Sequence, residues 1–363
     1  MIYKKKRQHN CGMWKLTIPG SWPQPDLVSG KMVRTNSVKL PISTLTFTFF
    51  NDKSSDQVAK LLIKHGCKDI TAELDLEHCN HIPFTRGGFG LIHQGMLKNG
   101  QLVAIKCIEM TGCWASWRAD MSGKHWKHAA HKLYAWSKCD HPGVLKALGF
   151  AFFEGFILLV SPWMRNGSLT DHLSCSKPGA RLHFCLEIVS TVEYLHGKGI
   201  VHGDLKADNV LVSDAGRTQL VDFGSTTLAD YLTLWFSRTS RVLALSLRFA
   251  APEVLDGSSK HHTTESDVYA LGMLTSGVQQ IMTGELPYAG MSDRVAVASI
   301  FRQVHPPRLT LNGIVGCQCS EDRLWNLLLR CWDNDPKLRP TATEVKRTLS
   351  GIAKESCAYY GRL

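Results

Sequence analysis

The chain has 363 residues, 44% of them apolar and 20% charged, enough to bury one large two-lobed core with a tail. A formal charge of +11 favours acidic partners such as a nucleotide, but no helix or strand carries a basic stripe interleaved with aromatics, which argues against a nucleic-acid surface. The twelve cysteines include no CxxC pair, the lone Cys317-Gln318-Cys319 suits a loop better than a zinc site, and no apolar run approaches the roughly 20 residues that cross a bilayer. Reduced thiols of this kind fit a cytoplasmic protein, with the nucleus as the alternative.

Residues 1–56 carry the basic run Lys4-Lys5-Lys6-Arg7, several prolines and an apolar patch from Leu45 to Phe50. Gln8, His9, Asn10 and Lys15 interrupt any signal-peptide core, so this stretch reads as a mobile N-terminal extension, the basic run being the candidate nuclear address. Residues 57–77 form a short helical lead-in. Val58, Leu61, Leu62 and His65 recur at helical spacing over 56–66, and Gly66 stops the helix. This segment is expected to dock on the domain C-terminal to it.

Thr85-Arg86-Gly87-Gly88-Phe89-Gly90-Leu91-Ile92 comes next, a glycine-rich loop whose backbone can close over phosphates with Phe89 at its tip. Alone it is a weak signal. It gains force from Val103-Ala104-Ile105-Lys106 one hairpin later, with Asn99-Gly100 as the turn. Trp126, Ala129, Leu133 and Trp136 make one stripe of an amphipathic helix over 125–138. Phe156 to Val160 reads as a buried strand leading into Ser161-Pro162-Trp163-Met164-Arg165-Asn166-Gly167, where Asn166-Gly167 turns the chain. Leu182, Leu186, Val189, Val192 and Leu195 space a buried helix.

That helix leads into His202-Gly203-Asp204-Leu205-Lys206-Ala207-Asp208-Asn209, followed by Val210-Leu211-Val212 and Asp222-Phe223-Gly224. A carboxylate, a lysine two residues on and an amide five residues on suit phosphoryl transfer. Asp204 can accept a hydroxyl proton, Lys206 can neutralise the moving phosphoryl group, and Asn209 can hold magnesium. Asp222, after the β-prone Thr218 to Val221, can hold the metal from its other side. Solvated turns often carry such residues, but HxDxKxxN followed by DFG is far more specific than any one of them. A P-loop nucleotidase would need GxxxxGK[ST], and no such run exists.

Over about residues 78–350 the sequence resembles the eukaryotic protein kinases. Tyr134-Ala135-Trp136-Ser137-Lys138-Cys139-Asp140-His141-Pro142 and His202-Gly203-Asp204-Leu205-Lys206 look most like the tyrosine-kinase-like group of mushroom-forming fungi. The resemblance implies an α+β bilobal protein-kinase fold. A small antiparallel β-sheet N-lobe with one helix would occupy 78–162, a larger, mainly helical C-lobe 163–353, and a tail 354–363. It implies ATP and Mg2+ as cofactors and proteins bearing serine or threonine as substrates. Asp204, Lys206 and Lys106 would be catalytic, and Asn209 and Asp222 would hold the metal. Gly87, Gly88, Phe89, Gly90, Ile92, Ala104, Lys106, Pro162, Met164 and Leu211 would contact ATP, Pro162 through its carbonyl and Met164 through its backbone. Ser161 would be the small gatekeeper and His202 a core histidine. Asp267 would hydrogen-bond the catalytic-loop backbone, with Ser266 as N-cap of its helix, and Arg339 would pair with Glu253. A closing helix is expected near 341–353.

Three positions depart from the pattern. Thr85 stands where a glycine is usual. Gly203 replaces the arginine that often reads an activation-segment phosphate, so activity is not expected to depend on such a phosphate. Lys132 stands where the family has a glutamate that pairs with the strand lysine. Two ammonium groups at about 4 Å and an effective dielectric near 20 repel by roughly 4 kcal/mol. The sequence therefore supports two readings: an active serine/threonine kinase with Lys206 and Ser246 arguing for hydroxyl choice, or a pseudokinase serving as an ATP-binding scaffold.

Overall fold

The computed structural model describes residues 55–64, 66–79, 85–87, 90–108, 133, 136–153, 156–173, 178–222, 247–259, 261–276, 281, 286–308 and 318–360. Expectations for residues 1–54, Gly88, Phe89, Trp126, Ala129, Lys132, Cys317 and the stretch from Phe223 to Ser246 lie outside these residues.

The lead-in helix α1 (Ser55–Lys64) ends where its spacing predicts, with the Gly66 amide donating to the Ile63 carbonyl at 2.9 Å. Leu62 of its stripe is buried. Six strands come after it: β1 (Leu74–Asp75), β2 (Thr85–Gly87), β3 (Gly90–Leu97), β4 (Leu102–Ile108), β5 (Gly149–Phe153) and β6 (Phe156–Pro162). They form one antiparallel sheet in the order β1-β3-β4-β6-β5, with β2 added to β3.

Strand alternation gives this sheet two different faces. Val103 and Ile105 of β4 and Leu158 and Val160 of β6 lie on one, covered by Ile70 and Leu74 in a small separate core. The pairings Ile92↔Lys106↔Leu159 and Ala104↔Ser161 put those five residues on the other. There Leu159 joins a second, larger core that includes Leu133 and Trp136.

The larger lobe is mainly helical. Its elements are α2 (Leu169–Leu173), α3 (Pro178–Gly197), the hairpin β7 (Val210–Val212) and β8 (Thr218–Leu220), α4 (Pro252–Leu255), α5 (Thr264–Ser276), α6 (Asp293–Phe301), α7 (Gln318–Cys331) and α8 (Ala342–Tyr360). Helix α5 buries Val268, Tyr269, Leu271, Met273 and Leu274, so it is apolar on nearly every side, as a helix at the centre of a lobe must be. Gly272 makes that possible. A Cβ there would stand 2.7 Å from the Cys331 Cβ and 3.0 Å from the Trp332 Nε1. Gly272→Ala is therefore expected to cost about 1–3 kcal/mol through overpacking, measured by urea unfolding.

Two helix ends differ from expectation. Ser266 is not the N-cap of α5. Thr263 caps it, its Oγ1 accepting from the Ser266 amide at 3.1 Å while the Ser266 Oγ accepts from the Thr263 amide at 2.9 Å. This reciprocal exchange satisfies two amide donors that an isolated helix end leaves open. Helix α8 begins near the expected position, at a Thr341/Glu344 capping box, but runs on to Tyr360. Residues 354–356 read as tail because they are polar, yet Glu355 pairs with Arg323 on α7 and accepts from the Ser320 hydroxyl. Partners distant in sequence, not local propensity, carry the helix past 353.

Among the described residues no helix is long and apolar enough to cross a membrane.

Candidate active site

The site is built from β4 in the sheet, the loop between α3 and β7, and the residues just after β8. Lys106 sits mid-strand on the face it shares with Ile92, Ala104 and Ser161. Its Nζ lies 2.7 Å from the Asp222 Oδ2. Asp222 has φ 66°, a left-handed conformation rare for a side chain other than glycine. Such a backbone persists only where its surroundings hold it, and β8 is held firmly. The Leu220 amide donates to the Gly143 carbonyl at 2.7 Å, and the Val221 amide to the Asn209 carbonyl at 3.0 Å.

On the other side of the cleft the Asp204 Oδ2 lies 3.0 Å from the Lys206 Nζ and accepts from the Asn209 Nδ2 at 2.9 Å. That same nitrogen donates to the Asp204 carbonyl at 2.7 Å. Because its nitrogen is occupied in this way, the Asn209 amide has only its oxygen to offer a cation. Asp222 contributes a carboxylate, so the donor set is all oxygen, which suits a hard divalent ion such as magnesium. Asn209 and Asp222 are the residues that would hold it.

Burial acts to raise the Asp204 carboxyl, but the Lys206 charge and hydrogen bond, with the Asn209 hydrogen bond, outweigh it and hold the group below the usual carboxylate range. Asp222 pushes the other way, more than the Asn209 bond alone offsets. Lys206 is the mirror image: burial acts to lower it, and Asp204, Asp222 and Asp208 together hold it above the usual lysine range. The pair is thus an ionised base beside a charged ammonium at neutral pH.

His202 is fully buried, as expected of a core histidine. The Asp204 amide lies 3.3 Å from its Nδ1, and its Nε2 lies 3.0 Å from the Val221 carbonyl. An amide only donates and a carbonyl only accepts, so the proton sits on Nε2 and the lone pair on Nδ1. The ring thereby ties Asp204 to the strand that presents Asp222.

Asp267, on α5, accepts from the His202 amide at 2.7 Å and the Gly203 amide at 2.8 Å, as expected, and also from the His196 Nε2 at 3.0 Å. Burial acts to raise this carboxyl, but the hydrogen bonds from His196 and the Gly203 amide oppose it and hold it low. Gly203 has φ 77°, where a Cβ would be strained; glycine in place of the usual arginine removes that cost. Asp267→Ala would leave the buried His202 amide and the part-buried Gly203 amide without acceptors, each worth about 1–3 kcal/mol. The expected outcome is a loss of about 2–6 kcal/mol in urea unfolding at pH 7. With a depressed folded value, the wild-type advantage is present above the unfolded value near about 3.9 and fades as pH falls through the lower folded one.

Of the other residues named from sequence, Ser161 is buried opposite Ala104, Pro162 closes β6 opposite Val103, and Met164 and Leu211 pack partly buried against the large core. Gly87 and Gly90 are register partners flanking Gly88 and Phe89. Arg339 makes the expected pair with Glu253, bidentate at 2.6 and 2.8 Å. Two positioning residues escape the sequence reading. Glu187 on α3 accepts from the Thr218 amide at 2.8 Å and its hydroxyl at 2.9 Å, anchoring β8, and His196 braces Asp267. A lone acid inside the apolar run Phe184–Val189 is the available signal for Glu187.

The protein kinase domain family matches residues 84–349. A probable LRR receptor-like serine/threonine-protein kinase of Arabidopsis thaliana is 28% identical over 76% of this chain and 25% of its own length. The serine/threonine/tyrosine-protein kinase HT1 of the same plant is 26% identical over 73% of this chain and 64% of its own. Tyrosine-protein kinase FRK of Homo sapiens is 24% identical over 75% of this chain and 50% of its own. The chain thus spans from a quarter to just under two thirds of the length of these relatives, and they divide between hydroxyl classes. With two lobes, and with the Lys106–Asp222 pair and the Asp204–Lys206–Asn209 cluster inside the matched residues, the chain belongs to the protein kinase domain family.

Proposed function

We propose that this chain transfers the γ-phosphoryl group of ATP to serine or threonine hydroxyls of proteins, as a signalling kinase of the tyrosine-kinase-like group. The observation that carries the reading is the 2.7 Å meeting of Lys106 with Asp222, beside the 3.0 Å Asp204–Lys206 pair. An ammonium, a metal-binding carboxylate and a second carboxylate able to take a proton converge there. Lys106 anchors the phosphates of ATP. Asp204 accepts the substrate hydroxyl proton, and Lys206, already charged, balances the negative charge that develops on the phosphoryl oxygens. Magnesium, when bound through Asn209 and Asp222, neutralises charge on the phosphates. Ile92 and Ala104 form the aliphatic roof over the nucleotide, with Met164 and Leu211 below. Lys206 in the catalytic loop favours serine and threonine over tyrosine, and the described cysteines, held as thiols rather than disulfides, suit a cytoplasmic or nuclear setting.

The second reading, an ATP-binding scaffold with little transfer, rests on Lys132 in place of the helix glutamate. Magnesium-dependent labelling from ATP, then phosphoamino-acid analysis, separates the two. The kinase reading expects labelled serine or threonine from the wild type. A silent wild type revived by Lys132→Glu marks a chain disabled at the helix, and ATP binding without transfer in both marks a scaffold. Labelled tyrosine alone would overturn the hydroxyl assignment.

A further inference from the structure

The lead-in lies ahead of the family match, yet it is hydrogen-bonded to the sheet that carries Lys106 and packed into the core that includes Leu220, two residues before Asp222. We propose that residues 55–75 are a strap that positions Lys106 and Asp222 for nucleotide, with Leu62 as its anchor; this rests on the phosphotransfer reading.

One arm of the strap reaches Lys106 through the sheet. The Ile70 amide donates to the Phe150 carbonyl and the Phe150 amide to the Lys68 carbonyl, both at 2.9 Å. The Phe152 amide donates to the Thr71 Oγ1 at 2.9 Å. Phe150 is the register partner of Leu159, and Leu159 of Lys106, so the strap is bonded to the end of the cross-strand row that carries the lysine. Past that edge the strap crosses to the opposite one, where Leu74 pairs with Leu97, and Ile70 and Leu74 cover the face behind Lys106. Gly149 permits the approach. A Cβ there would stand 2.2 Å from the Lys68 carbonyl oxygen.

The other arm reaches Asp222 through the core. Leu62 and Cys67 are buried in the cluster that holds Leu133, Trp136 and Leu145, and the Cys67 thiol lies 3.6 Å from the Ser137 hydroxyl. The Trp136 indole donates to the Leu145 carbonyl, and the Leu145 amide to the Leu220 carbonyl at 3.0 Å. Asp222 is two residues further on. One arm thus leads to the row of Lys106 and the other to Leu220, two residues before Asp222, and those two charges meet at 2.7 Å. A packing role alone would require only the buried face of α1. The hydrogen-bonded links to the row of Lys106, and through Trp136 and Leu145 to Leu220, give the strap a lever on nucleotide binding.

The test compares full-length Leu62→Ala and Gly149→Ala with Leu62→Met and Ile63→Ala. Leu62 is 3% exposed and Ile63, its neighbour on the helix, 52%. All are assayed at a temperature where circular dichroism shows each fully folded. The strap expects kcat/KM for ATP to fall about tenfold in Leu62→Ala and Gly149→Ala, and to stay within twofold in the other two. Lower Tm with unchanged kcat/KM in both alanine variants would reduce the segment to cover and overturn the proposal. If the wild type transfers no phosphate, the kinase reading fails separately and the readout becomes magnesium-dependent affinity for a fluorescent ATP analogue, with the same tenfold criterion. If nucleotide does not bind at all, amide exchange at Leu220 and Val221 decides. Faster exchange in both alanine variants supports the strap, and unchanged exchange overturns it.

Discussion

Asp204→Asn is expected to lower phosphoryl transfer by about a hundredfold to ten-thousandfold, the usual contribution of a positioned general base. Asparagine keeps the size of the side chain and an oxygen for the Asn209 bond, but it cannot take a proton. It also leaves Lys206 buried without the counter-charge that lies 3.0 Å away in the wild type. ATP affinity, measured separately, is expected to change much less, because Lys106 and Asp222 remain paired. An unaltered rate would remove Asp204 from the chemistry. The pH profile supplies an independent check. Burial alone would raise the Asp204 carboxyl, but Lys206 and Asn209 hold it low, so the proton-accepting form persists below the ordinary value of about 3.9. The rate should therefore show no acid limb from this group between pH 6 and 8.

A large loss of stability is expected from Arg339→Met. The Arg339 side chain is fully buried, with both terminal nitrogens on the Glu253 carboxylate, its Nε on the Asp333 carbonyl and its guanidinium 5.0 Å from the Tyr269 ring centre. Methionine fills much of the volume but leaves Glu253, at the start of α4, as an uncompensated charge. Removing one member of a buried pair costs about 3–5 kcal/mol. Chemical denaturation should show this as a lower midpoint at an unchanged slope. The double variant Glu253→Gln, Arg339→Met should recover part of the loss, since no charge is then stranded. If the double variant is as unstable as the sum of the singles, the two side chains do not act as a pair.

Much of the site can be read along the chain because its chemistry is local. Asp204, Lys206 and Asn209 lie within six residues, so their clustering arises from one tight loop, and HxDxKxxN specifies it. The β3–β4 hairpin, the stop at Gly66 and the buried stripe of α3 are likewise set by turn residues and period. Longer links are legible only through the family resemblance. Arg339 with Glu253 and Asp267 under the catalytic loop are examples, since nothing in their own surroundings names the partner. The N-cap of α5 is ambiguous for a smaller reason. Thr263 and Ser266 are both good caps, and only the hydrogen bonds distinguish which one stands outside the helix.

Spacing along the chain thus specified which groups can accept a proton, carry a positive charge or ligate a metal, because those are properties of side chains and of short loops. It could not specify that Lys106 and Asp222 meet, that Phe150 carries the lead-in at the end of the lysine's row, or that α8 continues to Tyr360. Each of these depends on strands and helices packed from distant parts of the chain. Burial there changes the strength of a charge and supplies a partner that no local pattern encodes.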